Sequence, residues 1–114
     1  MTVREMVAAA QKELLAGDVT PERSCELLNR LSALIGNCNT EIREADAAYA
    51  VVLLHFLDTE AKANRAKIRA ECSPEYQRKR EARDTKELVT DLIASLKYHL
   101  RSISDEMRLG GGGH

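Results

Sequence analysis

The chain has no tryptophan, and aromatic residues make up only 4 % of its 114 positions. A core must therefore be assembled from Leu, Ile, Val and Ala, without large ring anchors. Proline occurs twice, as Thr20-Pro21-Glu22 and Ser73-Pro74-Glu75. In both places a capping hydroxyl precedes it and an acid follows, which is how helices start. No segment alternates apolar and polar residues with the period of a strand. The longest strictly apolar run, Ala47 to Leu54, has eight residues, far fewer than the roughly 20 of a membrane span.

Cysteine is scarce and odd in number: Cys25, Cys38 and Cys72. An odd count suits free thiols in a reducing compartment better than a disulfide framework. The N-terminal segment is amphipathic rather than uniformly apolar, so no secretion signal is expected. Together these point to a cytoplasmic protein. The catalytic inventory is equally thin. No glycine-rich phosphate loop precedes a helix, and no Ser or Cys nucleophile sits in a recognisable motif. His55 and His99 stand without Cys or carboxylate at metal-ligand spacing. Catalytic residues, metal and cofactor are all expected to be absent, and the chain is not expected to be an enzyme.

What is present is helical periodicity. Leu28, Leu31, Ile35, Cys38, Ile42, Ala45, Tyr49, Val52, Phe56, Ala63, Ala66 and Ala70 recur every three or four positions, with Thr59 as the one polar residue in phase. Such spacing describes a helix that buries a narrow seam against other helices. The expected fold is all-α. A first helix spans about 3–16, capped by Thr2 and ended by Gly17. A second spans 21–71. Gly36-Asn37 leaves two readings open for it, a helix that continues through the glycine and one that breaks near 36–40. A third spans 74–108, with Val89, Ile93, Leu96, Leu100, Ile103 and Met107 in the same spacing.

Placing the chain reversal at Cys72-Ser73 gives a long antiparallel, coiled-coil-like hairpin with the short N-terminal helix packed at its base. Phe56 then faces Val89, Val52 faces Ile93 and Tyr49 faces Leu96. Residues 1–109 form one domain in this reading, and 110–114 look like a linker running into a purification tag. A thin helical monomer buries little apolar surface per residue, so a homo-oligomer is expected. Leu88 and Leu92, which widen the apolar stripe of the third helix, and Leu28 and Leu31 at the start of the seam are its candidate interface.

Charge is uneven. Residues 61–86 hold nine basic and four acidic residues, although the whole chain carries a net charge of −1. Lys62, Arg65 and Arg69 share one helix flank, and Tyr76, Lys79, Arg80 and Arg83 share another. Cations beside an aromatic ring suit a phosphate-bearing ligand whose base stacks on the ring. These seven residues are the candidate ligand site, against the plainer reading of a solvated tip with interspersed ion pairs.

The parts Lys62-Ala63-Asn64-Arg65-Ala66, Ser73-Pro74-Glu75-Tyr76, Lys86-Glu87-Leu88 and Ser95-Leu96-Lys97-Tyr98 resemble small α-helical early proteins of tailed bacteriophages. That family generally has no assigned function, so the resemblance implies a setting and no site residues. The expectation is a non-enzymatic helical binding protein, a counter-defence factor in the host cytoplasm. It would sequester an anionic nucleotide ligand or block a host protein. A recombination or replication accessory that binds single-stranded DNA and a structural coiled-coil adaptor are the alternatives.

Overall fold

The computed structural model describes residues 2–112. The described residues form four helices: α1 (Val3–Ala16), α2 (Pro21–Thr59), α3 (Ala63–Glu71) and α4 (Pro74–Gly112). It is all-helical, with no strand among the described residues. Of the tail read as a linker and tag, Gly110–Gly112 continue α4, while 113–114 lie outside the described residues.

Local chemistry sets most of the helix ends. The Thr2 hydroxyl accepts the Glu5 N–H at 3.1 Å, satisfying one of the orphan donors of the first turn. Gly17 closes α1 at φ +79°, a conformation that costs glycine little. Thr20 accepts the Arg23 N–H at 3.1 Å, with Pro21 as the first residue of α2. Ser73 caps α4 in the same way, accepting the Tyr76 N–H at 3.2 Å while its own hydroxyl donates to the Ala70 carbonyl.

Of the two readings of the second helix at Gly36, the continuous one holds, since α2 runs unbroken from Pro21 to Thr59 and no turn forms near 36–40. A helical glycine costs on the order of 1 kcal/mol, which the in-phase apolar residues on both sides outweigh. The helix does not, however, reach residue 71. It stops at Thr59, whose hydroxyl turns back to donate to the His55 carbonyl at 3.0 Å, and three residues intervene before α3. Thr59, the polar residue in the seam, marks the last turn. Neither glycine nor proline accompanies it, so no ordinary stop signal was visible there.

The chain divides into two compact units, one formed by the residues up to Ile35 together with those from Glu87 onward, the other by Gly36–Lys86. In the first, α1 lies antiparallel to the start of α2. Arg23 meets Glu13 at 2.8 Å, and Met6 and Ala10 line one groove with Leu27, Leu31 and Leu34. Its buried residues are Val7, Ala10, Ser24, Leu27, Leu31, Val89 and Leu96. Ser24 is wholly buried, and its hydroxyl finds no hydrogen-bond partner among the described residues.

In the second unit the rest of α2 packs against α3 and the start of α4. Partners run in opposite order along the chain. Glu60 pairs with Arg69, Val52 and Phe56 share a groove with Cys72 and Pro74, and the Tyr49 ring meets that of Tyr76 at a tilt. Both α3 and the first part of α4 therefore run antiparallel to α2, and the chain reverses at residues 60–62 instead of at Ser73. Tyr49 consequently faces Tyr76, where a reversal at Ser73 put Leu96 opposite it. Cys72-Ser73 is a jog between two helices that travel the same way. The core of this unit is Cys38, Ala45, Tyr49, Ala66, Ala70 and Ala82.

A Cβ added at Gly36 would meet nothing within 4 Å. Gly36→Ala should therefore raise the unfolding free energy by about 1 kcal/mol, measured by urea titration. A loss of stability would mean that the helix does not pass through this position.

Candidate functional site

The seven residues expected to hold a ligand lie in the 36–86 unit, and the fold uses four of them internally. Arg69 pairs with Glu60 at 2.8 Å, bracing the break between α2 and α3. Arg83 reaches Asp46 on α2 at 2.7 Å. Tyr76 is half-buried, its ring 5.4 Å from that of Tyr49. The Lys79 ammonium sits 4.5 Å from the centre of the Tyr49 ring, a cation–π contact that fixes the lysine against the core. Burial, with the Glu71 charge close by, raises the Tyr49 phenol above its ordinary pKa.

Arg78 was left out of the expected set, yet it makes the most elaborate of these contacts. Its guanidinium binds both Glu41 carboxylate oxygens, at 2.8 and 3.2 Å, and Glu44 lies 3.5 Å away. The hydrogen bonds from Arg78 hold the Glu41 carboxyl below the usual carboxylate range. Arg78 and Arg83 stand five positions apart, as do Glu41 and Asp46, which puts each pair on opposite flanks of its own helix. The two ion pairs thus border the alanine-lined seam on either side. Asp46 bonds Arg83 through Oδ2, and its Oδ1 is buried with no hydrogen-bond partner among the described residues.

The basic run is neutralised once the chain folds. Residues 36–86 contain ten basic and nine acidic residues, and Glu41, Glu44 and Asp46 of α2 lie against Arg78 and Arg83 of α4, while Glu60 just beyond α2 meets Arg69 of α3. Lys62, Arg65 and Arg80 of the expected set, with Lys67, meet no carboxylate within the chain among the described residues. Three of these four cations belong to α3 or its N-cap. All four are exposed.

The expected interface residues also divide. Leu31 is only 1 % exposed within a single chain, so it is core and has no surface to offer a partner. Leu28 and Leu88 are half-buried. Leu92, also half-buried, lines a cavity of about 600 Å³ with Leu14, Gly17, Asp18, Ser95 and His99. A second groove of about 580 Å³ brings Val52, His55, Phe56, Arg69, Cys72 and Glu75 together. Large apolar side chains stay exposed at positions the seam does not include, among them Val51, Leu54, Leu57 and Ile68. The eight-residue apolar run was the one sequence signal for the first two.

Among the described residues no three His, Cys, Asp or Glu side chains converge to hold a metal ion. No described helix is long and apolar enough to cross a membrane. Comparison with protein-family models, with curated proteins and with solved structures finds no match in any of the three.

Two measurements check this electrostatic picture. The carboxyls of Glu41 and of Glu13, bonded to Arg78 and Arg23, lie below their ordinary values. Their contribution is thus complete above the ordinary carboxylate range and disappears as pH falls through the depressed values. Urea midpoints should drop between pH 6 and pH 3, and the double variant Glu13→Gln, Glu41→Gln should show a flatter drop. Equal slopes for both proteins would remove these pairs from the stability account. Separately, Cys38 is 2 % exposed, with its thiol pKa raised by burial, while Cys25 and Cys72 are exposed. A thiol reagent should label two sites in the native protein and the third only on unfolding.

Proposed function

We propose that this is a non-enzymatic helical binding protein of the phage early-protein type. In this reading it acts as a homo-oligomer in the host cytoplasm, as a counter-defence factor that sequesters a phosphate-bearing ligand. The observation that carries the reading is the state of α3. Lys62 at the N-cap of α3, and Arg65 and Lys67 within that helix, pair with no carboxylate among the described residues, while the neighbouring Arg69, Arg78 and Arg83 are neutralised by Glu60, Glu41 and Asp46. Cations without internal partners are the ones able to meet an anion at no cost to an existing ion pair. Arg80 adds a fourth from α4. Tyr76 and Lys79, which also belonged to the expected contact set, serve in this reading as supports held by Tyr49.

A second reading, blocking or bridging another protein, draws on a different observation. Val51 and Leu54 are 68 % and 61 % exposed on a helix whose opposite face is already buried, and exposed apolar patches of this kind mark protein contacts.

The test is binding of a fluorescent nucleoside triphosphate and of a labelled thymidine oligonucleotide to the intact chain. Lys62→Glu, Arg65→Glu and Lys67→Glu combined should weaken binding of the triphosphate at least tenfold while leaving the helical circular dichroism unchanged. Equal affinity in the variant would reject the α3 site. Oligonucleotide binding that falls steeply with salt, with no triphosphate binding, would favour the single-stranded DNA accessory instead.

A further inference from the structure

α2 is apolar on more than its buried side. Cys38, Ala45 and Tyr49 are its buried residues in the 36–86 unit. On the opposite face, at helical spacing, lie Ala47, Ala50, Val51 and Leu54. All four are exposed, Val51 at 68 % and Leu54 at 61 %, and Leu57 on the edge of the stripe is 43 % exposed. An amphipathic helix buries its apolar stripe, yet no other part of the chain among the described residues covers this second one.

The ends of the stripe say what fits it. Arg43 closes one end and Asp58 the other. Both are exposed, and neither meets an opposite charge within the chain among the described residues. We infer that this face pairs with the same face of a second copy, the two α2 helices lying antiparallel about a two-fold axis between Ala50 and Val51. In that register Arg43 of each copy meets Asp58 of the other at both ends. Ala47 lies opposite Leu54 twice, and Ala50 lies opposite Val51 twice, so every layer sets a small side chain against a larger one. A parallel pair would place Arg43 on Arg43, Asp58 on Asp58 and Leu54 on Leu54. Like charges at both ends and uneven layers disfavour that arrangement. The antiparallel register is self-complementary, as an isologous two-fold contact requires.

This inference gives the homo-oligomer proposed above a location, and moves it away from Leu28, Leu31, Leu88 and Leu92. The stripe from Arg43 to Asp58 is about 22 Å long. It supplies only part of the roughly 800 Å² per partner used by a standard stable interface. The dimer therefore exchanges with monomer at micromolar concentrations.

Sedimentation velocity on the full chain between about 5 and 500 μM tests it. The wild type should pass from monomer to dimer mass across that range. Leu54→Glu, a change at an exposed position, should stay monomeric with unchanged circular dichroism. Arg43→Asp and Asp58→Arg should each weaken the dimer about tenfold, since two ion pairs become two repulsions. The doubly reversed chain should recover to within about threefold of wild type, because opposite charges again meet at both ends. A dimer that survives Leu54→Glu, or a double variant no better than the single ones, overturns the assignment. A dimer that survives Leu54→Glu but is lost in Leu92→Glu leaves the homo-oligomer standing and rejects this face. No dimer at any concentration rejects both.

Discussion

The 36–86 unit depends on close approach between helices whose contact faces are mostly alanine. Ala45, Ala66 and Ala70 are fully buried and Ala82 nearly so. A buried methyl contributes only about 0.8 kcal/mol, so the seam alone supplies little stabilisation. Tyr49 supplies the largest buried side chain, and Tyr76 and Lys79 close over it. With a seam this thin, the charged residues on either flank are drawn into cross-helix ion pairs. Arg78 and Arg83 reach Glu41 and Asp46 because small side chains bring the backbones near enough.

That constraint decides which side chains remain available for binding. The basic run of residues 61–86 suggests a positive surface, but α2 brings its acids to meet it. Arginines that count as ligand contacts by position become structural, and α3 keeps the cations that have no internal acid. The apolar residues divide in the same way. A narrow alanine seam covers one side of α2 and has no material with which to cover the other. Val51 and Leu54 are left in solvent by the same geometry that buries Ala45 and Tyr49. The proposed ligand binding and the proposed self-association thus draw on different surfaces, the unpaired cations at α3 for the first and the outer face of α2 for the second.

The helical character and the capped starts at Thr2, Thr20 and Ser73 were legible because they depend on neighbours a few residues away. The continuity of α2 through Gly36 was legible as one of two readings, from apolar residues that keep phase across it. The reversal at 60–62 was not. It lacks glycine and proline, its one local sign is Thr59, and Ser73-Pro74 offered a stronger signal at a place where the chain merely jogs. That error displaced the expected facing pairs, setting Leu96 opposite Tyr49 where Tyr76 lies. Arg78 was missed as a structural anchor for a related reason, since its partner Glu41 is 37 residues away.

By itself the sequence determined that this chain is helical, where most helices begin, and that no catalytic motif or metal-ligand spacing is apparent in it. Those properties follow from hydrogen bonds and periodicities within one or two turns. Only the tertiary structure decided which cations are neutralised, which leucine is core and which face of α2 stays bare. Such outcomes depend on distances between residues far apart in the chain, and moving the reversal from Ser73 to residues 60–62 reassigns them all.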